Sequence, residues 1–176
     1  MAASITSQMS SEEAASHSWD MEVGLEVQEP WAALIMSGQK NIETRRYALP
    51  AALLGRRIYI LESISGCPGQ TAIPDYVGEG STSLRILGTV VFSACVDYPD
   101  ERAFSDDEPR HLVCGSNGYS WQPGICGWLV REVDASSSNR NLPSCLRRYR
   151  SLFQINFKPD DALNDEHNFT TRQGKS

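Results

Sequence analysis

Between residues 29 and 46 the apolar period of the chain changes from that of a helix to that of a strand, and this change narrows what the chain can fold into. Trp31, Leu34, Ile35 and Gly38 fall at i, i+3, i+4 and i+7, one stripe of a short helix, with Pro30 suited to its first turn and Gly38 to a left-handed stop. Beyond Gly38 the pattern alternates, with Ile42 and Thr44 on one face of a strand and Glu43 and Arg45 on the other. A carboxylate and a guanidinium side by side, with Lys40 at the entry turn, form a polar group able to read a planar donor and acceptor edge. The plainer alternative is a solvated strand face whose ion pair contributes well under about 1 kcal/mol.

The flanking segments give the rest of a small domain. Val23, Leu25 and Val27 alternate with Glu22, Gly24 and Glu26, which predicts a half-buried first strand. Ile58 to Glu62 is apolar on both faces and reads as a central strand, with Glu62 and Ser63 at its cleft end. Residues 64–83 read as a long loop, an insertion or a lid. Residues 84–98 form a long strand with Gly88, Ser93 and Ala94 as places to bend or bulge. In the acidic helical stretch 100–113, the run from Ser105 to Glu108 is shaped like a capping box, and His111 reads as a surface or cap residue rather than an acid or base. Strands at 127–131 and 152–157 complete five or six in all, without the regular βαβ alternation of a parallel sheet. The expected fold is therefore α+β, a mixed, mainly antiparallel barrel with short flanking helices. Residues 1–21 and 159–176 read as polar tails around a domain at 22–158.

Composition limits function. No run of about 18 apolar residues exists to span a membrane, and the first twenty residues lack Lys and Arg, against a targeting segment, so a cytoplasmic or nuclear monomer is expected. The net charge is −6, but the two tails carry −5 of it and the core only −1. Within the core the basic residues cluster at Arg45, Arg46, Arg56 and Arg57 and again at Arg147, Arg148 and Arg150, suited to phosphate contacts. That balance fits a short RNA or single-nucleoside ligand better than long nucleic acid. Five cysteines with no CxxC pair predict reduced thiols. His111, Cys114 and Cys126 lack the second close pair of a zinc knuckle, so neither metal nor cofactor is expected.

The word Gly-x-Lys-x-x-Glu-x-Arg at Gly38, Lys40, Glu43 and Arg45, preceded by Pro30 and Trp31 and the Leu34-Ile35 pair, resembles the ASCH domain (activating signal cointegrator homology) of the PUA-like superfamily. The resemblance runs through the segments at 57–63, 87–92, 127–130 and 152–157. It implies a small β-barrel with a cleft lined by the motif, binding RNA or modified nucleosides. In that picture Lys40 and Arg45 meet phosphate or carbonyl oxygens, Glu43 accepts from an exocyclic amine, and Trp31 or Trp128 stacks, with Ser63 at the cleft edge.

Some small bacterial members of the family are amidohydrolases that deacetylate acetylated cytidine, pairing the motif lysine with a threonine three residues on. Here Lys40 keeps its place, but Glu43 stands at the threonine position and Thr44 is displaced to the other face. A Lys40–Glu43 pair, with Glu62, Glu101 or Glu108, remains the basis of an enzymatic alternative, hydrolase or ribonuclease. A third class is an interaction adaptor of the transcription-coactivator type with protein partners.

Overall fold

The computed structural model describes residues 18–63, 73–82, 84–115, 119–138 and 142–157. Of the tails expected at 1–21 and 159–176, residues 1–17 and 159–176 lie outside these residues, as does part of the 64–83 loop, whereas Trp19 is 4% exposed and packs in the core. Arg56 holds this entry, donating to the carbonyls of Trp19 and Met21.

In chain order the elements are β1 (Glu22–Gln28), α1 (Trp31–Met36), β2 (Ile42–Arg45), a 3-10 turn (Ala51–Leu53), β3 (Arg57–Ser63), β4 (Tyr76–Val77), β5 (Leu84–Asp97), α2 (Glu101–Asp106), α3 (Glu108–His111), β6 (Cys126–Asp134), β7 (Ser144–Tyr149) and β8 (Leu152–Asn156). The eight strands form one sheet in the order β2-β6-β5-β3-β1-β8-β7-β4. Among the described residues only β1 and β3 pair in parallel; the other pairings are antiparallel. The fold is α+β as expected, but the expected barrel does not close. The sheet is open, with β2 and β4 at its ends. Strands of four and two residues give these ends little backbone with which to pair.

Burial on both faces accounts for the central strands. In β3, Ile58 and Ile60 join a cluster with Val23, Leu25, Ile35 and Trp128, while Tyr59 and Leu61 join a second with Ile86, Phe153 and Ile155. β1 was expected to be half-buried, yet Gly24 and Glu26 are buried as well, because the strand lies between β3 and β8. At Gly24 an added Cβ would fall 2.6 Å from the Leu61 side chain. β5 bends where the small residues stand, with register shifts opposite Ile60/Leu61, beside Gly88, and between Phe92 and Ala94.

Two strands escape the sequence pattern: β4, within the expected loop, and β7, whose arginines obscure its period. The acidic stretch is two short helices. Asp100, not Ser105, caps the first, its carboxylate accepting from the Ala103 amide at 2.8 Å. Among the described residues no helix is long and apolar enough to cross a membrane.

Candidate functional site

The motif residues are positioned by a turn and one strand pairing. Gly38, at φ +75, ends α1, and the Lys40 amide returns to the Leu34 carbonyl at 2.9 Å, tucking Lys40 beneath the helix. β2 then pairs with β6, Glu43 opposite Trp128 and Arg45 opposite Cys126. Cross-strand partners share a face, so Glu43 and Arg45 turn inward, while Ile42 and Thr44 face the other way. The solvated strand face considered above is not what forms.

Lys40 is 1% exposed. Its ammonium donates to the carbonyls of Ile42 (2.7 Å) and His111 (2.8 Å) and lies 3.4 Å from Glu43 Oε2. Burial pushes its pKa down, opposed by the Glu43 carboxylate. Glu43 Oε1 accepts from Arg45 Nη2 at 2.8 Å. Arg45 also donates to the Glu26 carbonyl (2.7 Å) and to Ser151 Oγ (3.1 Å), which in turn bonds the Tyr47 hydroxyl. Burial disfavours the charge on Arg45, but Glu43, with Tyr47 and Glu26, outweighs it and the pKa rises. Arg45 thus bridges β1, β2 and the β7–β8 turn.

At the margin, Trp31 lies 5.6 Å from the Lys40 ammonium and edge-on to Tyr119, centroids 6.0 Å apart. The Tyr119 hydroxyl donates weakly to Gln28 Oε1 at 3.5 Å. The connected group is therefore Trp31, Lys40, Glu43 and Arg45, in one continuous network reaching the surface at Trp31 and Arg45.

The sequence model of the ASCH domain matches residues 25–139, which hold this whole motif and its strand partner β6. The chain belongs to the ASCH domain family. Crystal structures of ZmASCH from Zymomonas mobilis share its fold. A serine-to-alanine variant matches at a TM-score of 0.53 with 17% identity, over 83% of this chain and 96% of that one. The unsubstituted protein matches at 0.50 with 17% identity, over 82% and 94%. No curated protein matches in sequence.

The other sequence candidates of this ASCH domain lie deeper or elsewhere. Trp128 is fully buried, its Nε1 donating to the Tyr47 carbonyl at 3.3 Å, with Tyr47 and Phe92 edge-on against it. It supports the network from below. Ser63 ends β3 opposite Gln28, and its buried Oγ has no hydrogen-bond partner among the described residues. Glu62 is fully buried and paired with Arg85. Glu101 and Glu108 are exposed on the short helices.

His111 is a correction. It is fully buried rather than on the surface, stacked on Phe104 at 4.2 Å. Its Nδ1 accepts from the Val113 amide at 3.0 Å, so Nε2 carries the hydrogen and donates to the Phe104 carbonyl at 2.7 Å. Among the described residues no group of three His, Cys, Asp or Glu side chains is arranged to hold a metal ion.

Glu26, Tyr47 and Ser151 belong to the network and were not singled out from the sequence. Glu26 alone carried a signal, a carboxylate in the middle of a strand otherwise bound for the core. Its Oε1 accepts from the Ile73 amide at 3.0 Å, and Arg147 stands 3.8 Å from Oε2.

Proposed function

We propose that this ASCH domain binds RNA or a modified nucleoside at the Glu43–Arg45 pair, with Trp31 as the stacking face. The observation that carries the reading is the pair itself. A carboxylate and a planar guanidinium are fixed 2.8 Å apart, and Arg45, at 19% side-chain exposure, is the member that reaches outward. Its buried Nε has no partner among the described residues. Donor and acceptor side by side, with an aromatic face nearby, suit the edge and the plane of a base. In this reading Lys40 and Trp128 are positioning residues, Lys40 orienting Glu43 and Trp128 backing Tyr47.

The amidohydrolase and ribonuclease readings need Lys40 or Glu43 to exchange protons with a substrate. A side chain 1% exposed, with its nitrogen held on two carbonyls, is not open to a substrate, which favours binding over catalysis.

The test is calorimetry with cytidine, acetylated cytidine, their monophosphates and short single-stranded RNAs, with products followed by mass spectrometry. Saturable binding without turnover, weakened about tenfold or more by Trp31→Ala, is expected from a stacking contribution of about 1–3 kcal/mol per base. Turnover would establish the enzyme instead, and no binding to any of these ligands would leave the adaptor.

A further inference from the structure

Two thiols meet on the inner face of the sheet, behind the motif. β5 and β6 run antiparallel with Cys95 opposite Trp128 and Asp97 opposite Cys126, so the two cysteines are diagonal neighbours on one face. The two thiols are close enough for each to shift the pKa of the other. Cys126 is 2% exposed, whereas Cys95 is partly exposed while packing on the same core cluster. Cys126 is also the cross-strand partner of Arg45, and its sulfur lies 2.9 Å from the Tyr47 carbonyl and 3.4 Å from that of Arg45. One cysteine of the pair is thus partly exposed, and the sulfur of the other holds the backbone that carries Arg45 and Tyr47.

We propose that Cys95 and Cys126 form a reversible, peroxide-sensitive dithiol that couples oxidation to the placement of Arg45 and Tyr47. The nearness of Cys126 lowers the pKa of the Cys95 thiol, although burial and the Asp97 charge oppose it. The same nearness, with burial, pushes Cys126 up. Position sets the order of events: Cys95 is the partly exposed member that peroxide meets first, and the buried Cys126 stands beside it to resolve the product.

The chemistry balances with hydrogen peroxide as oxidant. The Cys95 thiolate attacks one peroxide oxygen, the O–O bond breaks, and the departing hydroxide leaves a sulfenic acid. The Cys126 sulfur then attacks the Cys95 sulfur, the S–S bond forms, the S–O bond breaks, and hydroxide leaves with the thiol proton as water. Two thiols lose two electrons and one peroxide becomes two waters. Diagonal neighbours lie about 7–8 Å apart at Cα, beyond the roughly 4.4–6.8 Å usual for a disulfide. Closing the bond therefore draws the strands together and withdraws the Cys126 thiol from the Tyr47 carbonyl. Such a bond is readily reduced again.

The test is peptide mapping by mass spectrometry after peroxide, with and without dithiothreitol, together with amide hydrogen exchange over residues 42–49. The expected product is a Cys95–Cys126 cross-link, lost in Cys95→Ser, reversed by dithiothreitol, and accompanied by at least a twofold change in exchange over 42–49. Cys126 is buried, so Cys95→Ser carries the test and Cys126→Ala is the second variant. Persistent free thiols, Cys95 sulfinic acid without a cross-link, or a main cross-link through Cys67 or Cys114 would overturn the proposal. A cross-link with unchanged exchange would overturn its coupling to the site. An accompanying loss of RNA or nucleoside affinity rests on the binding function proposed above, whereas the cross-link and exchange readouts do not, so the two failures are distinguishable.

Discussion

The Lys40 ammonium and the main-chain carbonyl of His111 are 2.8 Å apart, joined across 71 residues of sequence. The Asn41 amide donates to the Arg110 carbonyl at 3.0 Å beside it, and Arg110 Nε returns a bond to Asn41 Oδ1 at 3.3 Å. The short helices after β5 are therefore a strut for the motif. They fix Lys40, Lys40 fixes one Glu43 oxygen, and Arg45 fixes the other.

Lys40→Met should destabilise the fold by about 3–5 kcal/mol. It leaves the buried Glu43 with only one cationic partner, and it leaves the Ile42 and His111 carbonyls without their donor. Adding Glu43→Gln should cost less than the sum of the two single changes, with a coupling of about 1–3 kcal/mol. Urea unfolding of the four proteins measures this. A single-variant loss under about 1 kcal/mol would contradict the buried network.

His111 gives a pH dependence. Burial holds its folded pKa below 6.5, and protonation would place a hydrogen on Nδ1, where the Val113 amide already donates. The unfolded chain takes up its proton near pH 6.5 and the folded chain only at lower pH, so unfolding gains protons on acidification. Stability is then intact above about 6.5, falls below it, and levels out under the folded pKa. The other two histidines, His17 and His167, lie outside the described residues. Urea midpoints from pH 8 to pH 5 should show this limb, and His111→Phe should flatten it whatever its absolute stability. An equal acid slope in both proteins would assign the effect to other groups.

Local chemistry made part of this legible from residues alone. The helix from Trp31, the stop at Gly38 and the alternation that puts Glu43 and Arg45 on one face depend on neighbours within a few positions, whereas which way that face turns does not. The helix phase was less legible. Ala32 and Ile35 are buried while Trp31 and Leu34 are partly exposed, because β5 and β1, not the stripe's most apolar line, set which side packs. Burial of Lys40 depends on the His111 carbonyl, and the seating of Arg45 on Glu26 and Ser151, partners 19 and 106 residues away. No period in the sequence records such pairings. The open sheet had the same cause, since strand count does not reveal how short the end strands are.

Gly88→Ala tests the bend in β5. The residue has φ +145, and an added Cβ would lie 2.3 Å from the Asp134 carbonyl and 2.4 Å from Met36 Cε. The methionine can move, but the carbonyl belongs to the β5–β6 ladder. A loss of about 2–4 kcal/mol is expected from overpacking and backbone strain together. Gly55→Ala, also at positive φ but with open space around it, should cost only about 1–2 kcal/mol. Thermal unfolding of both variants separates collision from conformation. Equal losses would show that the close approach to Asp134 adds nothing.

Arg45→Lys asks whether the site needs a charge or a fork. The guanidinium spends Nη1 on Ser151 and Nη2 on both Glu26 and Glu43, so its plane is fixed from three directions. Lysine keeps the charge but has one nitrogen and a flexible stem, and it cannot span the Ser151 hydroxyl and the Glu26 carbonyl together. Losing these bonds should cost about 1–3 kcal/mol of stability, since hydrogen bonds to charged groups contribute about that much. If binding uses the fork beside Glu43, affinity for the best ligand found by calorimetry should fall at least tenfold in Arg45→Lys and nearly as far in Arg45→Gln. A lysine variant that binds as well as the parent while Arg45→Gln does not would show that charge alone is read, and would move recognition from a base edge to a phosphate.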